Sequence, residues 1–174
     1  MIRTALLATA LFCATGGARA DVRQCLIVGV SDGDTLTARC GTFGAYEQIK
    51  VRLSGVDAPE RRQPYGTRAK VALSALAFGR MATLDCPKTD RYGRSVCAVW
   101  VTPASAPGGP QTVDAGLSMV TLGMAWWYRA YARDQKPKAR RQYELAEREA
   151  QAERAGIWSD PGAVAPWEWR RARR

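Results

Sequence analysis

The sequence contains no histidine. That absence removes Ser-His-Asp and Cys-His catalysis, histidine general bases and histidine-ligated zinc together. Any chemistry must run on carboxylates, arginine, lysine, tyrosine, cysteine or a metal held by oxygen. Acids are scarce too: 16 Asp plus Glu stand against 26 Lys plus Arg, a formal net charge of +10. A surface of that sign favours polyanions or anionic membranes without choosing between them. Long apolar runs are also missing. The stretch from Ala5 to about Ala14 is only about half of the ~20 residues a bilayer span needs, and no second run or internal repeat follows. What remains is 174 residues, 47% hydrophobic and 24% charged. That suits one globular domain with a packed core rather than two domains or a disordered chain.

Residues 1–20 carry Arg3, the apolar run and a small-residue exit at Ala18-Arg19-Ala20, the three-part layout of a secretory signal peptide. The bulky Phe12 before Cys13 argues against lipid attachment there. The expected product is an exported, periplasmic or extracellular protein that starts at Asp21 and has no membrane attachment after cleavage. Residues 21–174 would form a single domain with a basic tail from about residue 160. Its four cysteines, Cys25, Cys40, Cys86 and Cys97, point to disulfides in an oxidising compartment, with three connectivities open. Hairpin geometry selects one of them. Asp32-Gly33 is a two-residue hairpin signal between Cys25–Ser31 and Thr35–Cys40, and Cys25 and Cys40 are equidistant from its centre. The turn Asp90-Arg91-Tyr92-Gly93 likewise sets Cys86 opposite Cys97. Opposed antiparallel residues have Cα atoms ~4.5–5.5 Å apart, which a disulfide accepts.

A third strand reads Gln48–Val56, where Ile49, Val51 and Leu53 alternate with Lys50, Arg52 and Ser54, so Arg52 faces away from the apolar side. A helix over Thr67–Phe78 follows, stopped by Gly79. Two more strands cover Arg80–Cys86 and Ser95–Thr102, and Pro103–Pro110 is an exposed loop. A second helix covers Asp114–Leu122. A third carries Ala139, Tyr143, Ala146, Ala150 and Ile157 on one face, ends at Gly156 and turns its charge run to solvent. The order predicts an α+β fold: a five-stranded antiparallel OB-fold-like β-barrel with about three packed helices.

Three charged clusters stand out. Ser31-Asp32-Gly33-Asp34-Thr35 is hairpin chemistry, yet it also offers Asp34 as an oxygen ligand for a hard cation. Arg52 through Asp57-Ala58-Pro59-Glu60 reads equally as a helix entry or as a strand-end cation followed by two carboxylates. Asp90-Arg91-Tyr92-Gly93-Arg94 is an ordinary turn when taken alone. Together, in this order, the blocks resemble the staphylococcal nuclease (thermonuclease) family. The likeness runs from Cys25 to Gly156-Ile157-Trp158-Ser159 and includes Gly123-Met124-Ala125 leading into aromatics.

The resemblance implies a calcium-dependent, sugar-non-specific nuclease that hydrolyses DNA and RNA phosphodiesters and leaves 3′-phosphate and 5′-hydroxyl ends. Asp34 and Asp57 make an oxygen site suited to Ca²⁺, and the family adds the main-chain carbonyl of Ala58, where a threonine is usual. Glu60 is implied as the general base. Arg52 and Arg94 are implied as phosphate grips that offset charge building on phosphorus. Arg91 and Tyr92 match positions touching a terminal phosphate, and Tyr131 matches a tyrosine beside the nucleotide. Arg129 stands where another pocket tyrosine is usual. For Tyr131, Trp126 and Trp127, core packing is the plain alternative. A monomer is expected. The C-terminal Pro166-Trp167-Glu168-Trp169 and its arginines read as a frayed basic tail or as a non-specific phosphate contact. Two rivals use the same composition: a non-catalytic single-stranded nucleic-acid-binding OB-fold module, and a disulfide-stapled envelope protein. Neither gains from Asp34, Asp57 and Glu60 facing phosphate.

Overall fold

A computed structural model of the chain describes residues 21–173; the expected signal peptide lies outside the described residues. In chain order the elements are β1 (Asp21–Val30), β2 (Thr35–Thr42), β3 (Ala45–Leu53), β4 (Val56–Asp57), α1 (Gly66–Ala77), β5 (Met81–Thr89), β6 (Ser95–Val101), β7 (Val113–Asp114), α2 (Ala115–Thr121), β8 (Trp126–Trp127), α3 (Pro137–Ala152) and α4 (Pro166–Arg171). Short 3₁₀ turns cover Arg129–Asp134 and Gly156–Ser159.

The five long strands form the expected barrel. Neighbours in the order β3-β2-β1-β5-β6 run antiparallel, and a parallel pairing of β3 with β6 closes the ring. Alternation along the strands turns Cys25, Ile27, Leu36, Ala38, Val51, Leu53, Leu84 and Val99 into the core. Helices α1 and α2 cover it with Ala69, Leu73, Met119 and Val120. Each fully buried Leu, Ile or Val contributes about 1.5–3 kcal/mol of transfer free energy, so barrel and helix cap stabilise each other.

Both cystines form, with Cα atoms 4.3 Å apart for Cys25–Cys40 and 4.1 Å for Cys86–Cys97. Cys25 faces Cys40 in the ladder, but the register slips by one residue between Ile27 and Gly29. Four residues, Ser31–Asp34, therefore connect the strands in place of a two-residue turn. Gly33 does not take a left-handed conformation; its small size serves a close approach instead. A Cβ there would lie 2.6 Å from the Ala69 Cβ and 2.7 Å from the Ala58 Cβ. Gly33→Ala should thus lower unfolding free energy by about 1–3 kcal/mol through overpacking. Denaturant titration measures it, and a variant as stable as the parent would refute this account of Gly33. In the second hairpin the ladder breaks between Asp85 and Lys88, where Pro87 has no N–H to donate.

Other boundaries shift for local reasons. The third strand stops at Leu53, not Val56, because Gly55 at φ 76 turns the chain, and β4 leaves to pair with β8. The third helix ends at Ala152; left-handed residues at Arg154 and Gly156 separate it from the turn holding Ile157. Within the charge run expected to face solvent, Glu147 is fully buried. The C-terminal segment is not frayed. It forms α4, and Trp167 packs against Tyr128 with ring centroids 5.3 Å apart and against Trp126 at 6.5 Å.

Candidate active site

Barrel closure and the β4–β8 pairing bring distant acids together. The Asp34 carbonyl accepts the Leu53 N–H at 2.8 Å, tying the β1–β2 connection to the end of β3. Its carboxylate accepts the Ala58 N–H through Oδ2 at 2.7 Å and the Thr35 hydroxyl through Oδ1 at 3.0 Å. Asp57 stands on β4 opposite Trp126 of β8 and is 1% exposed. Arg52 points out of the apolar face between Val51 and Leu53. Its Nη2 donates to Asp57 Oδ1 at 2.8 Å, and its Nη1 lies against Asp34 Oδ2. One guanidinium therefore bridges two carboxylates, which is what lets three buried charges coexist.

The electrostatics follow from crowding. Burial, then the Asp34 charge, pushes the Asp32 carboxyl up to about 6. Burial also raises the Asp57 carboxyl, against the opposing pull of Arg170 and Arg52. For Arg52, burial would lower the guanidinium, but Asp34, Asp57 and Asp32 outweigh it and raise it. Arg52 therefore stays charged.

Glu60 follows β4 on a tight turn. Its N–H donates to Gln63 Oε1 at 3.1 Å, and its carbonyl accepts the Gln63 N–H at 2.8 Å. Gln63 donates in turn to the Val164 carbonyl, pinning the turn to the C-terminal segment. Gly66 must lack a side chain here, since a Cβ would fall 2.0 Å from the Glu60 carbonyl oxygen. The Glu60 carboxylate accepts Arg170 Nη1 at 2.6 Å.

Arg94 comes from the β5–β6 turn, just before the seam where Val96 faces Arg52. Asp90 Oδ2 accepts Arg94 Nε at 2.8 Å, while Oδ1 accepts the Tyr92 and Arg94 N–H groups at 2.9 and 3.0 Å. Burial would raise the Asp90 carboxyl, but these donors outweigh it and hold the group below the usual carboxylate range. Tyr92 is exposed, with the Arg91 guanidinium 5.0 Å from its ring centroid. Tyr131 is also exposed; Lys88 Nζ lies 4.7 Å from its ring centroid and Tyr128 packs on it at 5.1 Å.

One cleft of about 800 Å³ takes in Asp34, Arg52, Asp57, Ala58, Glu60, Arg91, Tyr92, Arg94 and Tyr131, every noncysteine site residue expected from sequence. It also includes Tyr128, Lys88 and Arg170, which sequence reasoning missed. Arg170 donates through Nη2 to Asp57 Oδ2 at 2.7 Å. Its only signal in the sequence was an arginine four residues after Pro166 in an aromatic-rich segment. Arg129 does not line the cleft. It pairs with buried Glu147 at 2.7 Å and stacks 4.7 Å over the Trp127 ring. Trp126 and Trp127 are buried, so their contribution is packing.

Among the described residues no group of three or more acidic or cysteine side chains stands as a ready metal cage. The donor set is two carboxylates, Asp34 and Asp57, beside the Ala58 main chain. All-oxygen donors fit a hard cation such as Ca²⁺ and not a thiolate- or imidazole-seeking metal. Asp34, Asp57 and Glu60 against Arg52 leave two negative charges, and one while Arg170 is docked on Asp57 and Glu60.

Residues 50–160 match the protein family described as Staphylococcal nuclease homologue. Protein ParB of Escherichia coli is 42% identical over 145 residues, covering 83% of this chain and 77% of that protein. Micrococcal nuclease of Shigella flexneri is 41% identical over 147 residues, 84% and 79% of the two chains. An uncharacterized endonuclease of Haemophilus influenzae is 36% identical over 174 residues, 98% and 88% respectively.

Proposed function

The chain belongs to the staphylococcal nuclease homologue family, and from that premise we propose that it is a calcium-dependent, sugar-non-specific nuclease acting on DNA and RNA. The observation that carries the reading is the gathering of Asp34, Asp57 and Glu60 with Arg52 and Arg94 in one cleft. A module that only bound nucleic acid would gain nothing by presenting carboxylates to phosphate.

Arg52 and Arg94 grip the nonbridging oxygens of the scissile phosphate and offset the charge that grows on them as phosphorus becomes five-coordinate. Arg94 is half-buried and held by Asp90, so its guanidinium is oriented before substrate arrives. Glu60 takes a proton from the attacking water. The water oxygen bonds to phosphorus, the bond to the 5′ oxygen breaks, that oxygen takes up a proton from solvent, and the products carry a 3′-phosphate and a 5′-hydroxyl. Asp34, Asp57 and the Ala58 carbonyl would hold Ca²⁺, which when bound supplies positive charge against the same phosphate. Arg91 and Tyr92 support the substrate's terminal phosphate, and Tyr131 supports the nucleotide.

The test is digestion of single-stranded DNA and of RNA by the purified protein with calcium, followed by end-group analysis. Cutting of both with 3′-phosphate and 5′-hydroxyl ends is expected. Products with 5′-phosphate ends would overturn the assigned attack direction, and binding without cutting would favour the non-catalytic OB-fold module.

We also infer that the protein works outside the cytoplasm as a monomeric single domain. Two cystines support an oxidising compartment, and residues 1–20 have the composition of an export signal. No described helix is long and apolar enough to cross a membrane.

A further inference from the structure

We infer that α4 is a latch on the cleft: Arg170 and a divalent cation compete for the Asp57 carboxylate, so cation entry lifts α4 away. This rests on the reading of Asp34 and Asp57 as the cation site. The Arg170 guanidinium spans Asp57 of that site and the neighbouring Glu60, with Nη2 2.7 Å from Asp57 Oδ2 and Nη1 2.6 Å from Glu60 Oε1 and 3.3 Å from Asp57 Oδ1. Arg52 already takes Asp57 Oδ1, so each Asp57 oxygen has a guanidinium on it. With Arg52 alone, the three acids keep two negative charges for a divalent ion; with Arg170 docked they keep one.

The mount of Arg170 is suited to release. Asp57 is 1% exposed, but Arg170 is 40% exposed. The six-residue helix docks through Trp167 and Ala165 on a small satellite cluster with Trp126 and Ile157, outside the barrel core. Its departure would uncover Pro166 and the Trp126 and Tyr128 rings, none of them in the five barrel strands. Two cations a few ångströms apart repel strongly in a low-dielectric site, so the repulsion that expels Arg170 equals the penalty α4 imposes on the ion. Coupling of this kind is reciprocal and typically amounts to about 5- to 150-fold.

Calorimetric titration with CaCl₂ alone, without nucleic acid, tests the latch. Arg170→Ala should bind Ca²⁺ about 5- to 150-fold more tightly than the parent. Trp167→Ala, which keeps Arg170 but loosens its helix, should tighten binding too. In the unmodified protein, Ca²⁺ should speed amide hydrogen exchange across residues 166–171, a readout that needs no variant. Equal or weaker Ca²⁺ binding in both variants, or exchange in α4 unchanged or slowed by Ca²⁺, overturns the latch while leaving the cation site standing. Absence of Ca²⁺ binding in parent and variants alike overturns both.

Discussion

A chelator added to the protein with single-stranded DNA is expected to stop cleavage, and calcium in excess of the chelator to restore it. The expectation follows from charge. The cleft holds Asp34, Asp57 and Glu60, and the Arg52 charge is already engaged by the first two. A phosphodiester brings one more negative charge. A single like-charge pair at ~4 Å costs about 4 kcal/mol at an effective dielectric constant of ~20, roughly a thousandfold in occupancy at 1.4 kcal/mol per decade. Arg170 is engaged by Asp57 and Glu60 and Arg94 by Asp90, so the cleft's arginines do not offset several such pairs. A small oxygen-seeking dication at the proposed Asp34 and Asp57 site would. Equal rates of fragment formation with and without chelator would remove the metal from the mechanism.

Glu60→Gln should lower the single-turnover cleavage rate by about 10²- to 10⁴-fold, the usual worth of a positioned general base. The amide keeps the side chain's size and an acceptor for Arg170, so the turn holding it should stay in place. What is lost is the negative charge and, with it, the ability to take a proton. Glu60 is 41% exposed, and a half-exposed ion pair contributes about 0–1 kcal/mol, so the melting temperature should barely move. A rate within twofold of the parent, in a folded variant, would remove Glu60 from proton transfer.

The sequence made the barrel legible because strand alternation is local. Arg52 between Val51 and Leu53 had to leave the apolar face, and Cys25 meets Cys40 because the one-residue slip between Ile27 and Gly29 makes up for a longer turn than the sequence suggests. The clusters around Asp34, Asp57 and Arg94 were legible through their density of charge and their order. What escaped depended on contacts between segments far apart. Gly33 looked like turn chemistry, yet its neighbours are Ala58 and Ala69, which no local pattern names. Glu147 sat in a run of charges, and only the fold brings the Trp127 N–H and Arg129 to it, at 2.9 and 2.7 Å. Arg170 lies 113 residues from Asp57; a terminal arginine-rich segment reads as solvated until Trp167 finds Tyr128.

The covalent and hydrogen-bonded halves of the barrel seam meet at one level. Leu53 pairs with Cys97 across the parallel closure, Arg52 pairs with Val96 one step away, and Cys97 is also bonded to Cys86. Thiol-reducing surroundings would therefore slacken the very rung beside the bridging guanidinium. The cleft's geometry is in this way conditioned by the redox character of the medium.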